Sequence, residues 1–390
     1  MFFAQVMTGV GFSSIFPFLP LYVQELGSAW GLSIDLLAGL VFSGQAFTMM
    51  LTAPLWGSIA DRFGRKLMVE RAMFGGVIIL GMMAFARSGE DLVILRAVQG
   101  MITGTVAAVN ALVAATAPRE HAGYAMGFTQ VGLGAGVALG PMIGGAIADA
   151  YGYSTAFFVT AFLLLLAGLV VAFWIKEPPS NNSAGKAKRT GLFTAWREII
   201  RQPGIPGAYG LSFFNQLCRN MLLPIIPLFI PLLLRSADFV NTFTGLITGT
   251  SSATNTVSSV FLGRLGDRRG QRRVLIISLI ISSVFFAVQS LVSEAWHLLL
   301  LQAAVGVALG GVTPSISALL ARYTRPGVEG AVYGLENSIG SAARAVAPML
   351  GSFFMALWGM RSTFIVTGVL LALTAVFAAV TLPNPPKARE

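Results

Sequence analysis

At 390 residues, 55% hydrophobic and only 11% charged, the chain cannot cover a soluble surface, which carries about 25% charged residues. Its charges fall in short clusters between apolar runs of roughly 20 residues, enough to cross a bilayer as helices and too uniform for barrel strands of about ten alternating residues. The net charge of +10 suits cationic loops that orient spans rather than a nucleic-acid partner. One cysteine, Cys218, and two histidines, His121 and His297, exclude an intrachain disulfide and point to no metal or cofactor site. The fold class read from these facts is an all-α polytopic membrane protein.

Span 1 covers about residues 2–24, with Pro17 and Pro20 near its outer end, and span 2 about 35–56. Proline is tolerated in membrane helices where neighbours and water re-satisfy the freed carbonyls. A charged hairpin of ten residues follows, Gly57-Ser-Ile-Ala-Asp61-Arg62-Phe-Gly64-Arg65-Lys66. Span 3 runs over about 68–86, span 4 over about 92–115 with Arg96 and Asn110 inside it, span 5 over about 123–148 and span 6 over about 154–175. Residues 176–206 are the one long polar segment, and their Pro, Gly and Ser mark a linker. Within it, Leu192–Ile200 reads as a short interfacial helix with Phe193 and Trp196 toward lipid. Spans 7 to 12 fall at about 207–233, 241–262, 274–292, 296–320, 331–356 and 361–381.

Lys and Arg concentrate in the loops after the even-numbered spans, and the opposite loops hold only Arg87, Arg235 and Arg361. Positive loops stay cytoplasmic, so both termini and the linker are expected inside. The first hairpin recurs at an offset of 206: Gly57, Asp61, Arg62 and Gly64 match Gly263, Asp267, Arg268 and Gly270. Gly100 and Gly104 match Gly306 and Gly310 at the same offset; at 207, Gly127, Pro141, Gly144, Gly152, Phe157 and Thr160 match Gly334, Pro348, Gly351, Gly359, Phe364 and Thr367. Each half has an even number of spans, so the halves share one topology. The expectation is twelve helices in two six-helix bundles, 1–175 and 207–390, joined by the cytoplasmic linker 176–206 and related by a pseudo-two-fold axis along the membrane normal.

These motifs resemble the major facilitator superfamily. The hairpin follows that family's G-x-L-A-D-R-x-G-R-R/K signature except that Ile59 replaces Leu. Leu95-Arg96-Ala-Val-Gln99-Gly100 resembles its span-4 motif. Gly127 and then Gly136-Val-Ala-Leu-Gly140-Pro141-Met-Ile-Gly144-Gly145 resemble the span-5 motif of its drug-efflux antiporters. Pro17-Phe-Leu-Pro-Leu-Tyr-Val and Ser154–Ala161 are most similar to bacterial 12-span multidrug and tetracycline-type exporters. Such members usually carry a short cytoplasmic lead, which here would precede a chain that starts almost directly in span 1.

The resemblance implies roles. Gly57, Asp61, Arg62, Gly64 and Arg65, with Asp267 and Arg268, would form the gate: Asp61 meets the positive N-terminus of span 11 and closes the inner side in the outward-open state. The second copy has Gln271 at the Arg65 position, which implies a weaker latch. Gly132, Gly136, Gly140 and Gly144 recur every four residues and, with Pro141 permitting a bend, make a smooth stripe for close helix packing. In the family this stripe is the contact between spans 5 and 8 on which the halves rock.

Ionisable groups inside a bilayer cost a few kcal/mol or more each and usually face a water-filled cavity. Arg219 lies about mid-span 7, Arg344 about mid-span 11, Arg96 in the outer third of span 4, and Glu336 about two turns into span 11. The resemblance ties Arg96 to proton transfer, but spans 1 and 4 have no central acid, so proton coupling falls to Glu336, Asp61 or Asp149, with Glu336 the most embedded. The substrate cavity would draw on Asn110, Gln130, Asn215, Gln216, Arg219, Asn337 and Arg344, with Ser338, and on aromatic walls from Phe12, Phe16, Phe213 and Phe214.

The expected function is a monomeric secondary exporter of amphipathic organic compounds in the cytoplasmic (inner) membrane of a bacterium, exchanging them for protons. The alternative is export of an anionic metabolite, or lipid flipping, with Arg219 and Arg344 holding the anion. A membrane enzyme or sensor is disfavoured, since the chain has no nucleophile–base pair, metal cluster, phosphate loop or appended soluble domain.

Overall fold

A computed structural model describes residues 2–103, 109, 112, 122–175, 202, 204–234, 239–324 and 329–382, apart from the side chains of 54, 57, 58, 61, 62, 122–126 and 329–331. Most of the linker, the interfacial helix expected at Leu192–Ile200 and the stretch around Asn110 lie outside the described residues. All regular structure among the described residues is helical. The first half contains α1 (Phe2–Ser13), α2 (Leu19–Leu26), α3 (Ile34–Phe63), α4 (Arg65–Met83), α5 (Gly89–Ile102), α6 (Ala122–Tyr151) and α7 (Tyr153–Trp174). The second contains α8 (Ile205–Met221), α9 (Ile225–Leu233), α10 (Val240–Arg269), α11 (Gln271–Gln289), α12 (Ala295–Leu309), α13 (Val312–Tyr323), α14 (Glu329–Trp358) and α15 (Met360–Thr381). Among the described residues, eight stretches are helical, long and apolar enough to cross a membrane.

Span 1 is broken between α1 and α2, and span 7 between α8 and α9. Pro17 and Pro224 sit in those breaks, where a residue without an N–H cannot continue the ladder. The turn after α1 keeps its backbone paired through Ser14 N–H to Val10 O at 2.9 Å and Leu19 N–H to Ile15 O at 3.0 Å. Pro17 and Pro20 correspond to Pro224 and Pro227 at an offset of 207, a part of the repeat that the glycine and hairpin matches do not reveal. Span 10 breaks likewise at Gly310–Gly311, between α12 and α13.

The charged hairpins are corrected in shape. The ten residues expected as a loop are mostly helix, because α3 continues to Phe63 and α4 starts at Arg65, leaving Gly64 alone at the turn with φ +101°. The second copy turns on Gly270 with φ +96°. Glycine adopts that left-handed backbone without a Cβ penalty.

α10 is the most hydroxyl-rich of the long helices. Thr244, Thr248, Thr254 and Thr256 each donate to the carbonyl four residues back, at 2.7 to 2.9 Å. Folding the hydroxyl onto the helix's own backbone lets so polar a segment sit among apolar ones.

The internal repeat is written in equivalent hydrogen bonds. Thr48 Oγ1 donates to Ala97 O at 2.7 Å and Thr254 Oγ1 to Ala303 O at 3.0 Å. Lys66 Nζ donates to Ala172 O at 2.7 Å and Arg272 Nη2 to Ala379 O at 2.5 Å, so each hairpin is anchored to the last helix of its own half. A Cβ at Gly100 would strike the Gln45 carbonyl and Thr48 hydroxyl; one at Gly306 would strike the equivalent Ser251 carbonyl and Thr254 hydroxyl.

The buried apolar side chains gather into one large cluster from the first half and another drawn almost wholly from the second. The halves meet along two helix pairs, α6 on α10 and α3 on α14. These contacts lie toward the end opposite the hairpins: Gly39 against Pro348 and Ser352, Gly145 against Asn241, Gly245 against Pro141 and Gly249 against Ala138. Among the glycine-lined close approaches between the halves in the described residues, Gly134 to Thr256 lies nearest the hairpin end. On that side both Gly127 of α6 and Gly334 of α14 face open space.

Candidate functional site

One face of α8 carries Tyr209, Ser212, Gln216 and Arg219, which the 3.6-residue period places together. Opposite it runs the first part of α14. Tyr209 Oη donates to Val332 O at 3.0 Å and Ser212 Oγ to Glu336 Oε1 at 3.4 Å. One turn further along, the Gln216 amide nitrogen and an Arg344 guanidinium nitrogen lie 3.6 and 3.8 Å from the point where a Gly340 Cβ would be. Glycine at that position leaves both groups room to converge. Arg344 donates to Ser341 Oγ of its own helix at 2.9 Å.

Arg219 is exposed near the end of α8, on a helix whose other residues are mostly buried. Neither Arg219 nor Arg344 has a carboxylate partner among the described residues. Asn215 is 4% exposed, and its Oδ1 has no partner among them. Asn337 and Ser338 are exposed on α14, with Ser338 Oγ bonded back to Gly334 O at 3.1 Å.

The first half carries different chemistry. Arg96 is 1% exposed and donates from Nε to Val41 O at 3.0 Å and from Nη1 to Gln99 Oε1 at 2.7 Å, with its guanidinium 5.7 Å from the Phe42 ring. Phe16 meets that ring edge-on at 5.9 Å, and Phe12 is half-buried nearby on α1. The acid that proton transfer through Arg96 requires is not among these partners. Gln130 is exposed on α6, and Asn110 lies outside the described residues. Gln5 of α1, which the residue patterns did not single out, is fully buried, and neither amide atom has a partner among the described residues.

Two expectations are corrected. Phe213 and Phe214 do not wall the cavity: Phe213 packs with Leu217, Ala343 and Ala347, and Phe214 meets Phe377 of α15 at 6.1 Å. They lie roughly a quarter turn or more from the Ser212–Arg219 face. The stripe Gly132, Gly136, Gly140 and Gly144 does not face span 8. A Cβ at these positions would meet Phe2, Val6, Gly9, Val10, Ser13 and Ser14 of span 1, and Ser13 Oγ donates to Gly136 O at 3.3 Å. The contact with α10 uses the adjoining face, through Gly134, Ala138, the Pro141 carbonyl and Gly145. A helix that small all round can be approached closely from two sides, and sequence spacing alone does not say by which neighbour.

Of the expected gate, Gly57, Asp61 and Arg62 lie within α3, and the side chains of Asp61 and Arg62 are outside those described. Gly64 makes the turn and Arg65 opens α4. Asp267 accepts from Gln271 Nε2 at 2.8 Å, a bond within its own hairpin, and Arg268 is exposed beside it. At the opposite end, Asp149 of α6 accepts from Asn241 N–H at 3.2 Å, Asn241 Nδ2 at 2.7 Å and Thr242 N–H at 2.6 Å. This carboxylate of one half occupies the N-terminus of α10 in the other, where free N–H groups and the helix dipole favour it. Glu90, 2% exposed, accepts from Ser28 Oγ at 2.5 Å, Ala29 N–H at 3.0 Å and Trp30 N–H at 3.1 Å. The Ser28 hydroxyl first, then the backbone donors, hold its carboxyl down at about 2.

Fold and interior together define a polytopic helical protein of two repeated halves. The profile of the Major Facilitator Superfamily matches residues 1–239 and 208–390. The chain belongs to that superfamily and has its fold. It is 32% identical over 376 residues to "Multidrug resistance protein MdtG" of Salmonella paratyphi A (strain ATCC 9150 / SARB42), covering 95% of this chain and 92% of that protein. The protein of the same name from Salmonella typhimurium is 31% identical over the same coverage. Among solved structures, a bacterial homolog to human lysosomal transporter Spinster, in an inward-facing and occupied conformation, superposes with a TM-score of 0.82 at 14% identity over 97% of this chain and 95% of that one. The human organic anion transporter MFSD10 (TETRAN) superposes with a TM-score of 0.67 at 19% identity, over 97% of each chain.

Proposed function

We propose that the protein exports amphipathic organic compounds across the cytoplasmic membrane of a bacterium by alternating access, in exchange for protons. The name shared by the relatives above, multidrug resistance protein, supports the substrate class. The observation that carries the mechanism is the distribution of contacts between the halves, which join at the Asp149 end and at mid-depth while Gly127 and Gly334 face open space toward the hairpins. With the cationic hairpins, the linker and both termini cytoplasmic, this is a state that loads substrate from inside. Residues 1–175 and 207–390 are the two moving bodies of a monomer. Asp61 re-forms its latch with span 11 when the inner side closes, and Glu336, held beside Ser212, carries the proton.

Efflux of ethidium from energised cells that overproduce the protein tests this reading. Wild type should expel the dye, an uncoupler should abolish expulsion, and Glu336→Gln should lose expulsion while still binding dye. Expulsion that survives the uncoupler would remove proton exchange, and expulsion by Glu336→Gln would move the proton site elsewhere.

A further inference from the structure

We propose that the second half of the interior carries an anion subsite, in which Arg219, Arg344 and the Gln216 amide bind a carboxylate, phosphate or sulfonate group on an amphipathic substrate. The proposal rests on the export reading above and specifies the substrates it admits.

The pseudo-symmetry isolates these charges. At the offset of 207, Arg219 corresponds to Phe12, Arg344 to Val137 and Glu336 to Thr129. The same helix positions are thus filled without charge in the first half, so two packed halves of this fold do not require the arginines. A guanidinium at bilayer depth is costly, and a structural role would return that cost through bonds between helices. No such bond exists among the described residues: Arg344 bonds only Ser341 on its own helix, and Arg219 bonds nothing.

The donors that remain form a recognisable set. A guanidinium offers five N–H donors in a planar fork that matches carboxylate and phosphate oxygens, and a bond between two ions is the strong kind. Gln216 places a further amide beside Arg344, within 4 Å of the same point over Gly340, and Arg219 follows one turn along the same face of α8. Among the described residues the acid on this face, Glu336, lies eight residues before Arg344, about 12 Å along the helix, and engages Ser212 instead. The local balance around Arg219 and Arg344 is therefore positive. With the amphipathic compounds of the export reading, the site suits a molecule with an anionic group at one end and a hydrophobic body at the other.

The test uses the full chain in nanodiscs of zwitterionic lipid and two aromatic probes of similar size and opposite charge, naphthalenesulfonate and N-methylquinolinium. Isothermal titration is corrected against empty nanodiscs. Wild type should bind the sulfonate, and binding should weaken as salt rises. Arg219→Gln and Arg344→Gln should each weaken it about tenfold or more, the loss of one charge-assisted contact, while quinolinium binding stays within about twofold. Should either variant fail to fold, Gln216→Ala and wild-type salt dependence still decide, since both should move sulfonate binding alone. Wild type that binds no sulfonate, or a double variant that binds it equally well, overturns the subsite. Ethidium efflux without sulfonate binding sinks the subsite and leaves the export reading standing; sulfonate binding without any efflux does the reverse.

Discussion

Asp149 and Asn241 lie 92 residues apart in sequence and on opposite halves of the molecule, yet the carboxylate of one takes both the backbone N–H and the side-chain amide of the other, with Thr242 N–H as a third donor. Any motion that separates the halves at this end has to break the whole set. Hydrogen bonds to charged groups contribute about 1.5–3 kcal/mol, so Asp149→Ala should shift the equilibrium toward separation of this end by about tenfold or more. Spin labels placed at the exposed Trp30 and Leu291 read the distance directly by double electron–electron resonance. A longer distance is expected in the variant, and an unchanged one would show that the clasp does not hold the halves.

The two glycine faces of α6 should fail in different ways. Gly136 abuts the Val6 carbonyl and Gly9 of α1 within one half, whereas Gly245 of α10 abuts the Pro141 carbonyl across the two halves. Gly136→Val should overpack the first half and destabilise it by about 1–3 kcal/mol, read as a lower Tm in detergent. Gly245→Ala should leave Tm nearly unchanged and lengthen the same spin-label distance. Equal effects of both on Tm would contradict the assignment of the two faces.

Glu90 predicts a pH dependence with a definite sign. Its carboxyl is held at about 2 against an ordinary value of 4.5, so its contribution to stability is fully present above pH 4.5 and is lost as pH falls from there through about 2. Hydrogen exchange at the Ala29 and Trp30 amides should accelerate over that window beyond the intrinsic trend. Glu90→Gln should show fast exchange at neutral pH and no such window. A wild-type profile that is flat between pH 5 and pH 3 (about the span set by linkage) would refute this.

Arg96 holds α3 to α5 through the Val41 carbonyl and orients Gln99. Arg96→Met should remove both bonds and leave the Gln99 oxygen without its donor, destabilising the protein by about 1–3 kcal/mol. Arg96→Lys should recover only part of this, because an ammonium cannot reach two acceptors with the geometry of a planar fork. Thermal unfolding with ethidium efflux measured in parallel separates a stability effect from a transport effect.

Local chemistry made much of this molecule legible. Apolar runs gave spans 5, 6, 11 and 12 to within about three residues, since helix length across a bilayer follows from composition. The repeated hairpins announced the duplication because Gly64 and Gly270 answer the same backbone demand, a positive φ. Equivalent anchors then appear where the offset predicts them, as at Lys66 and Arg272. What the residues alone determined about this protein is its class, its duplication and the identity of its charged interior.

Only the tertiary structure decided how those parts face one another. The glycine stripe turned to α1 because rotation of a helix about its axis depends on every neighbour, not on its own spacing. Phe213 and Phe214 left the cavity for the same reason. The pairing of Asp149 with Asn241, and the absence of a carboxylate partner for Arg219 and Arg344 among the described residues, are distances between segments far apart in the chain. Such distances come from packing, which no local periodicity encodes.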